Sequence, residues 1–229
     1  MKPIAYIEND YSEKFGIPRQ AGLVHATVSC IRFVPEYRDP EAFRGLDGFS
    51  HIWLIWEFSE ARRDTWSPTV RPPRLGGNTR LGVFATRSPY RPNPIGLSCV
   101  ELDHIELHTD EGPLLFVRGA DLMNGTPIYD IKPYLPYADC KPEATGGFTD
   151  RTEKRTVEVE IPAECAKAMK PEDLEALKAV LREDPRPAYQ DDPERVYAFE
   201  FAGKNVRFVV EGKVLKVVSI QNSEFRIQN

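Results

Sequence analysis

The run HIWLIWEF, residues 51–58, sets the fold class. Its aromatic and aliphatic residues follow one another without the polar gaps of an amphipathic helix, and the run is short. Such a stretch reads as a β-strand covered on both faces. Working outward, Leu81 to Thr86, Gly96 to Leu107 and Leu114 to Gly119 are further strands, rich in Val, Ile, Leu and Phe. Leu23 to Arg32 alternates, with Val24, Ala26, Val28 and Cys30 on one face and His25, Thr27 and Ser29 on the other. Only Pro40 to Leu46 looks helical in this half, and it is brief. Many short strands with few helices predict a mainly β protein: a closed or nearly closed antiparallel β-barrel rather than a βαβ sheet.

The composition shifts near residue 140. Lys141 to Arg155 is polar and glycine-containing and reads as a linker or flap, followed by a strand over Thr156 to Ile161. Pro171 precedes a helix over Glu172 to Glu183, with Leu174, Leu177, Val180 and Leu181 at helical spacing. Val196 to Ala202, Val206 to Val210 and Val214 to Ile220, separated by AGKN and EGK turns, predict a three-stranded meander. The expected organisation is a barrel domain over residues 1–145 and a small α+β domain over 146–229.

The chain has 229 residues and a mass of 26.0 kDa, with 41% hydrophobic residues, enough for a substantial core. Cys30, Cys99, Cys140 and Cys165 are far apart, which excludes a disulfide-dense scaffold and a zinc ribbon. No segment approaches the ~20 apolar residues of a membrane-spanning helix, so a cytoplasmic location is expected. The net charge is −5, but it is unevenly spread. Between Arg62 and Asn93 seven arginines face one acid, Asp64, whereas Glu158 to Glu200 holds twelve acids and six bases. Because salt confines the relevant field to ~10 Å, the basic middle is compatible with a polyanion such as RNA. The acidic C-terminal part argues against phosphate contact there and favours dimer support or steric guidance.

No G-x-G-x-x-G follows a strand, and neither a P-loop nor an H-E-x-x-H motif occurs. His104 and His108 sit in an expected strand without a third ligand nearby, so no metal site is expected. His51 reads as a satisfied core or rim histidine rather than a base.

Two stretches carry chemistry. RLGVFATRSPYRPNPIGLS, residues 80–98, packs Pro89, Pro92 and Pro94 around Arg87, Arg91 and Asn93. Each proline fixes its own φ and restricts the residue before it, so these polar groups are held in place before any ligand arrives. Arginine forks suit phosphates and carboxylates. GADLMNGTPIYDIKPYLPYAD, residues 119–139, holds a sharp turn at Asn124-Gly125 that presents backbone N–H groups, suited to the polar edge of an adenosine. Asp130 and Lys132 lie two apart in an extended segment and share a face. They read equally well as a base with its charge stabiliser and as a surface ion pair.

These two stretches, together with GLDGFSHIWLIWEF and the early FGIPRQ, resemble the TsaA-like, or TrmO, family over roughly residues 1–140. EDPRPAYQ, Glu183 to Gln190, resembles the C-terminal extension of some bacterial members. The resemblance implies a homodimeric β-barrel methyltransferase using S-adenosyl-L-methionine. The implied substrate is N6-threonylcarbamoyladenosine at tRNA position 37, in the anticodon stem-loop, and the product is its N6-methylated form. It places cofactor contacts on Pro18, Arg19 and Gln20, on Ser59 and Glu60, on Arg87 and Leu97, and on Asp121, Leu122, Met123 and Asn124. Asn124 stands where the family commonly has aspartate.

On that reading Asp130 is the candidate base and Lys132 its charge partner. Arg91 and Asn93 hold the threonyl carboxylate and carbamoyl group, and Tyr129 or Tyr134 stacks on the base. Arg63 and Arg74 contact phosphates. The alternative is a non-catalytic barrel that senses S-adenosylmethionine or binds RNA, which would not need the Asp130–Lys132 pair.

Overall fold

A computed structural model describes residues 1–76, 78–152, 154–186 and 192–223; of Arg74 only the backbone is described. The first part of the chain forms eight strands: β1 (Ala5–Glu8), β2 (Val28–Phe33), β3 (His51–Glu57), β4 (Thr69–Val70), β5 (Leu81–Gly82), β6 (Ile95–Glu106), β7 (Leu114–Arg118) and β8 (Pro127–Pro133). Six close into a barrel in the order β1-β2-β7-β6-β3-β8, with every neighbouring pair antiparallel, and β4 and β5 form a separate small hairpin. The fold is mainly β with a closed antiparallel barrel, as the strand pattern predicts.

β3 lies between β6 and β8, but it is not covered on both faces as its unbroken apolar sequence suggests. Ile52 and Leu54 point inward and are fully buried with Ile7, Ile31, Leu115 and Ile128, while Trp53 and Ile55 alternate onto the outer side and are half-buried. Closure leaves the barrel itself no unpaired strand edge.

Three expectations need correction. The alternation from Leu23 is not one strand: residues 23–27 are turns and coil, and β2 begins at Val28. Its inward face is also the opposite one, with Ser29, Ile31 and Phe33 inside and Val28 outside, because the larger Ile31 and Phe33 take the core positions. Val24 is buried, but in the C-terminal core. Leu81 to Thr86 is only a two-residue strand followed by a 3-10 turn, Val83–Ala85, and Pro40–Phe43 is likewise a 3-10 turn.

Beyond β8 come a short helix α1 (Pro136–Asp139), β9 (Glu158–Glu160), α2 (Ala163–Ala166) and the twelve-residue α3 (Pro171–Arg182). Ala176, Leu177, Val180 and Leu181 form the buried stripe of α3. The meander follows as β10 (Tyr197–Phe201), β11 (Lys204–Glu211) and β12 (Val214–Asn222), with β9 added parallel to β12. Ala202 and Gly203 both have positive φ (48° and 69°), the conformation a tight hairpin turn requires.

The C-terminal core also contains Tyr11 and Val24, with Phe15, Ile17 and Leu23 packed against it. The segment after β1 therefore crosses to the α+β module before β2 begins. Gly16 (φ 97°) marks its closest approach, where an added Cβ would come within 2.5 Å of the Phe199 ring. Among the described residues no helix is long and apolar enough to cross a membrane.

Candidate active site

The segment after β1, the end of β3, the proline-rich loop before β6 and the turn between β7 and β8 surround a cavity of about 510 Å³. Its floor is Trp56, on the inward side of β3 and opposite Gly96 on β6. A Cβ on Gly96 would lie 2.2 Å from the indole, so the ring occupies the space a side chain would need. Trp56 Nε1 donates to Ser98 Oγ (2.9 Å), and Ser98 Oγ donates to Asp121 Oδ1 (2.5 Å). This relay runs from the floor to the wall. Burial pushes the Asp121 carboxyl above the ordinary range, against the opposing pull of Ser98, backbone amides and the Arg87 charge.

Asp121 begins the turn to β8. Gly125 (φ 77°) supplies the left-handed residue, and its N–H donates to the Ile7 carbonyl (2.8 Å). Asn9 pins the same turn, donating through Nδ2 to the Leu122 carbonyl and through its backbone N–H to Asn124 Oδ1. Across the cavity, Arg87 Nη1 donates to Gln20 Oε1 (2.5 Å), joining the proline-rich loop to the segment after β1.

Of the residues expected to hold a cofactor, Pro18, Arg19, Gln20, Ser59, Glu60, Arg87, Leu97, Asp121 and Met123 all line this cavity. Leu122 does not: it is fully buried in the barrel core. Asn124 is exposed and engaged by Asn9, outside the lining.

The expected catalytic residues divide. Arg91 lines the cavity, but its guanidinium donates to the carbonyls of Val83 (3.2 Å) and Thr86 (2.7 Å) and so braces the loop backbone. Asn93 is exposed and outside the lining. Asp130 and Lys132 form a 3.0 Å ion pair on the outer side of β8, with side chains about half exposed (47% and 62%). The register runs from Asp130 to Ile55 and on to Leu97. Two strand spacings, ~10 Å, thus separate Asp130 from the cavity rim at Leu97.

The expected RNA-contacting residues also differ in their surroundings. Arg63 stacks over the Tyr90 ring at 3.8 Å. Arg74's side chain lies outside the described residues. Tyr129 donates its hydroxyl to Glu57, and Tyr134 packs near Trp53 and His51. Neither tyrosine lines the cavity.

Sequence reasoning missed Trp56, Glu57, Tyr90 and Thr126, which also line the cavity. Glu57 is buried, accepts from Arg62 and Tyr129, and has its carboxyl held below the usual range chiefly by the Arg62 hydrogen bond. The available signal was Gly96 facing an aromatic strand: a glycine inside a strand marks close approach. Tyr90, in the lining, is 41% exposed; outside it, Phe84 (72% exposed) lies 5.8 Å from the Arg91 guanidinium and 6.1 Å from the Trp66 ring (51% exposed).

A closed antiparallel barrel with a carboxylate and an arginine lining a loop-built cavity defines a β-barrel domain with a candidate ligand site. Comparison with known proteins makes this specific. The tRNA-methyltransferase O N-terminal domain matches residues 6–140, and the TrmO C-terminal domain matches residues 154–223. The chain belongs to the TrmO family. It is 40% identical over 226 residues to the tRNA (adenine(37)-N6)-methyltransferase of Escherichia coli K12, covering 95% of this chain and 96% of that protein. It is 42% identical over 204 residues to a putative S-adenosylmethionine-dependent methyltransferase RcsF of Pseudomonas aeruginosa, covering 86% of each. The crystal structure of TrmO from P. aeruginosa superposes with a TM-score of 0.75 at 32% identity, covering 96% of this chain and 95% of that one.

Proposed function

We propose that this protein methylates N6 of the threonylcarbamoyl-modified adenosine at position 37 of tRNA, using S-adenosyl-L-methionine. The observation that carries this is the convergence of Arg87 and the desolvated Asp121 on one cavity. The residues suit the cofactor: Asp121 accepts hydrogen bonds from hydroxyl or amino donors, Leu97 and Trp56 offer apolar surface, and Arg87 and Gln20 offer polar atoms. Bound there, S-adenosylmethionine would supply an electrophilic sulfonium methyl, the sulfur departing as a thioether, and the ureido N–H proton would have to be taken up as the new carbon–nitrogen bond forms.

The acceptor nitrogen is a poor nucleophile because its lone pair is delocalised into the carbonyl, so alignment and proton removal are the protein's tasks. Asp130 is assigned proton removal, with Lys132 balancing its charge. Within one chain the pair stands outside the cavity, so this role requires a second copy laid on the outer face of β3, β6 and β8. That face offers Ile55, Leu97 and Cys99 beside the ion pair, which supports a homodimer. Asp130→Asn should then lower turnover more than tenfold with cofactor affinity unchanged. A near-normal rate removes the assignment.

Base stacking falls to the exposed Trp66 and Phe84 rather than to Tyr129 and Tyr134, which are engaged elsewhere, as is Tyr90 by Arg63. Arg63 lies on the same lip and supplies phosphate attraction. Arg91 and Asn93 act on the threonylcarbamoyl group by bracing and shaping the loop. The deciding experiment gives the protein labelled S-adenosylmethionine with tRNA from cells able or unable to make the threonylcarbamoyl group. RNase-sensitive label should appear only on the modified tRNA. Equal label on both refutes the substrate assignment, and label on neither favours a binding barrel without catalysis.

A further inference from the structure

The loop leaving α3 contains a buried ion pair. Arg186 donates to both carboxylate oxygens of Asp184 (2.8 and 3.0 Å), and the two residues are only 6% and 5% exposed. Asp184 adopts φ 47°, a left-handed conformation unusual for a side-chain-bearing residue. Buried ion pairs seldom add net stability over apolar packing, and a strained residue persists only where its surroundings over-determine it.

What the pair fixes is the direction of two carbonyls. Those of Asp184 and Arg186 both accept from Arg19 Nη2, at 3.0 and 2.7 Å, across 165 and 167 residues of sequence. Arg19 lines the cavity. Its carbonyl accepts from Gln20 Nε2 (2.5 Å), and Gln20 Oε1 accepts from Arg87 Nη1 (2.5 Å). A continuous hydrogen-bonded line therefore runs from the C-terminal module into the cavity wall.

We infer that Asp184 and Arg186 are positioning residues for the cofactor cavity, holding Arg19 and, through Gln20, Arg87. The α+β module thereby completes a site whose other walls belong to the barrel. This rests on the cavity being the S-adenosylmethionine site.

The test uses the full chain and titrates S-adenosylhomocysteine by calorimetry. Arg186→Lys keeps the charge but loses the two-pronged contact, and should weaken binding about tenfold. Asp184→Gly relaxes the backbone while removing the carboxylate, and should weaken it similarly while lowering the melting temperature, because Arg186 is left buried without the Asp184 carboxylate. In an Arg19→Ala background, adding Arg186→Lys should cause no further loss, because both act through one contact. Additive losses, or unchanged affinity in both single variants, overturn the inference while leaving the cavity assignment standing. A wild-type chain that fails to bind S-adenosylhomocysteine overturns both.

Discussion

Asp121 and Asp130 lie on either side of one turn and meet opposite fates. Asp121 sits in the cavity wall, where burial raises its pKa and Ser98 fixes its orientation. Asp130 stands on the outer side of β8, half exposed beside Lys132. An exposed pair of that kind contributes only about 0–1 kcal/mol, and its substitution scarcely affects the fold. A desolvated carboxylate costs stability where it stands, and on the proposed function a ligand that needs an oriented acceptor offsets that cost. Within one chain, the half-buried acid faces the cavity and the ion pair faces the outer surface.

The sharpest way to break this contrast is to truncate both acids. Asp121→Ala should weaken S-adenosylhomocysteine binding by about 100-fold or more, from the loss of a charged acceptor in a desolvated site, whereas Asp130→Ala should change it less than twofold. Calorimetric titration of the two variants side by side decides it; similar losses in both would erase the distinction.

Next in size is the cavity floor. Gly96→Ala drives a methyl into Trp56 and should cost about 1–3 kcal/mol, read as a lower midpoint in urea unfolding, and it should weaken cofactor binding by disturbing the Trp56–Ser98–Asp121 relay. Lys132→Ala on the outer face should change the unfolding free energy by less than about 0.5 kcal/mol.

The third comparison is in pH. Because the folded-state pKa of Asp121 is raised, the group protonates at a higher pH than an ordinary carboxyl. Cofactor affinity should therefore begin to fall above the usual carboxylate range as pH is lowered, and Asp121→Asn should abolish that dependence. The stability effect has the opposite sense: the contribution of a raised carboxyl is complete below its unfolded pKa and is lost as pH rises through its folded pKa. Asp121→Asn should accordingly be slightly more stable than wild type near neutral pH while binding cofactor poorly.

The smallest expected effect is at the lip. Phe84→Ala should weaken tRNA binding severalfold without changing the salt dependence, whereas Arg63→Ala should reduce the slope of log affinity against log salt by about one. Filter binding over a salt series separates the two.

How much of this was legible depended on whether a residue's partners lay near it in sequence. β3 was readable as a strand because its apolar run is too short for a helix, although only its inward face is fully buried and its outer face, Trp53 and Ile55, is half-buried. The two polar loops were readable because proline and Asn-Gly fix local geometry. Leu23 to Arg32 misled because Val24 belongs to a different core from Ile31, and simple alternation carries no information about which core a residue joins. Trp56 went unnoticed because what marks it is cross-strand, Gly96 opposite the indole, and Glu57 because Tyr129 reaches its carboxylate from β8, although its other partner, Arg62, is only five residues away. The Asp184–Arg186 hook was invisible for the same reason, its target being 165 residues away.

The most direct test of the account is a crystal structure with S-adenosylhomocysteine bound. It should place the ligand within hydrogen-bonding distance of the Asp121 carboxylate, between the Arg87 loop and the turn after β7. A ligand seated elsewhere, with the Asp121–Arg87 cavity left to solvent, would contradict it.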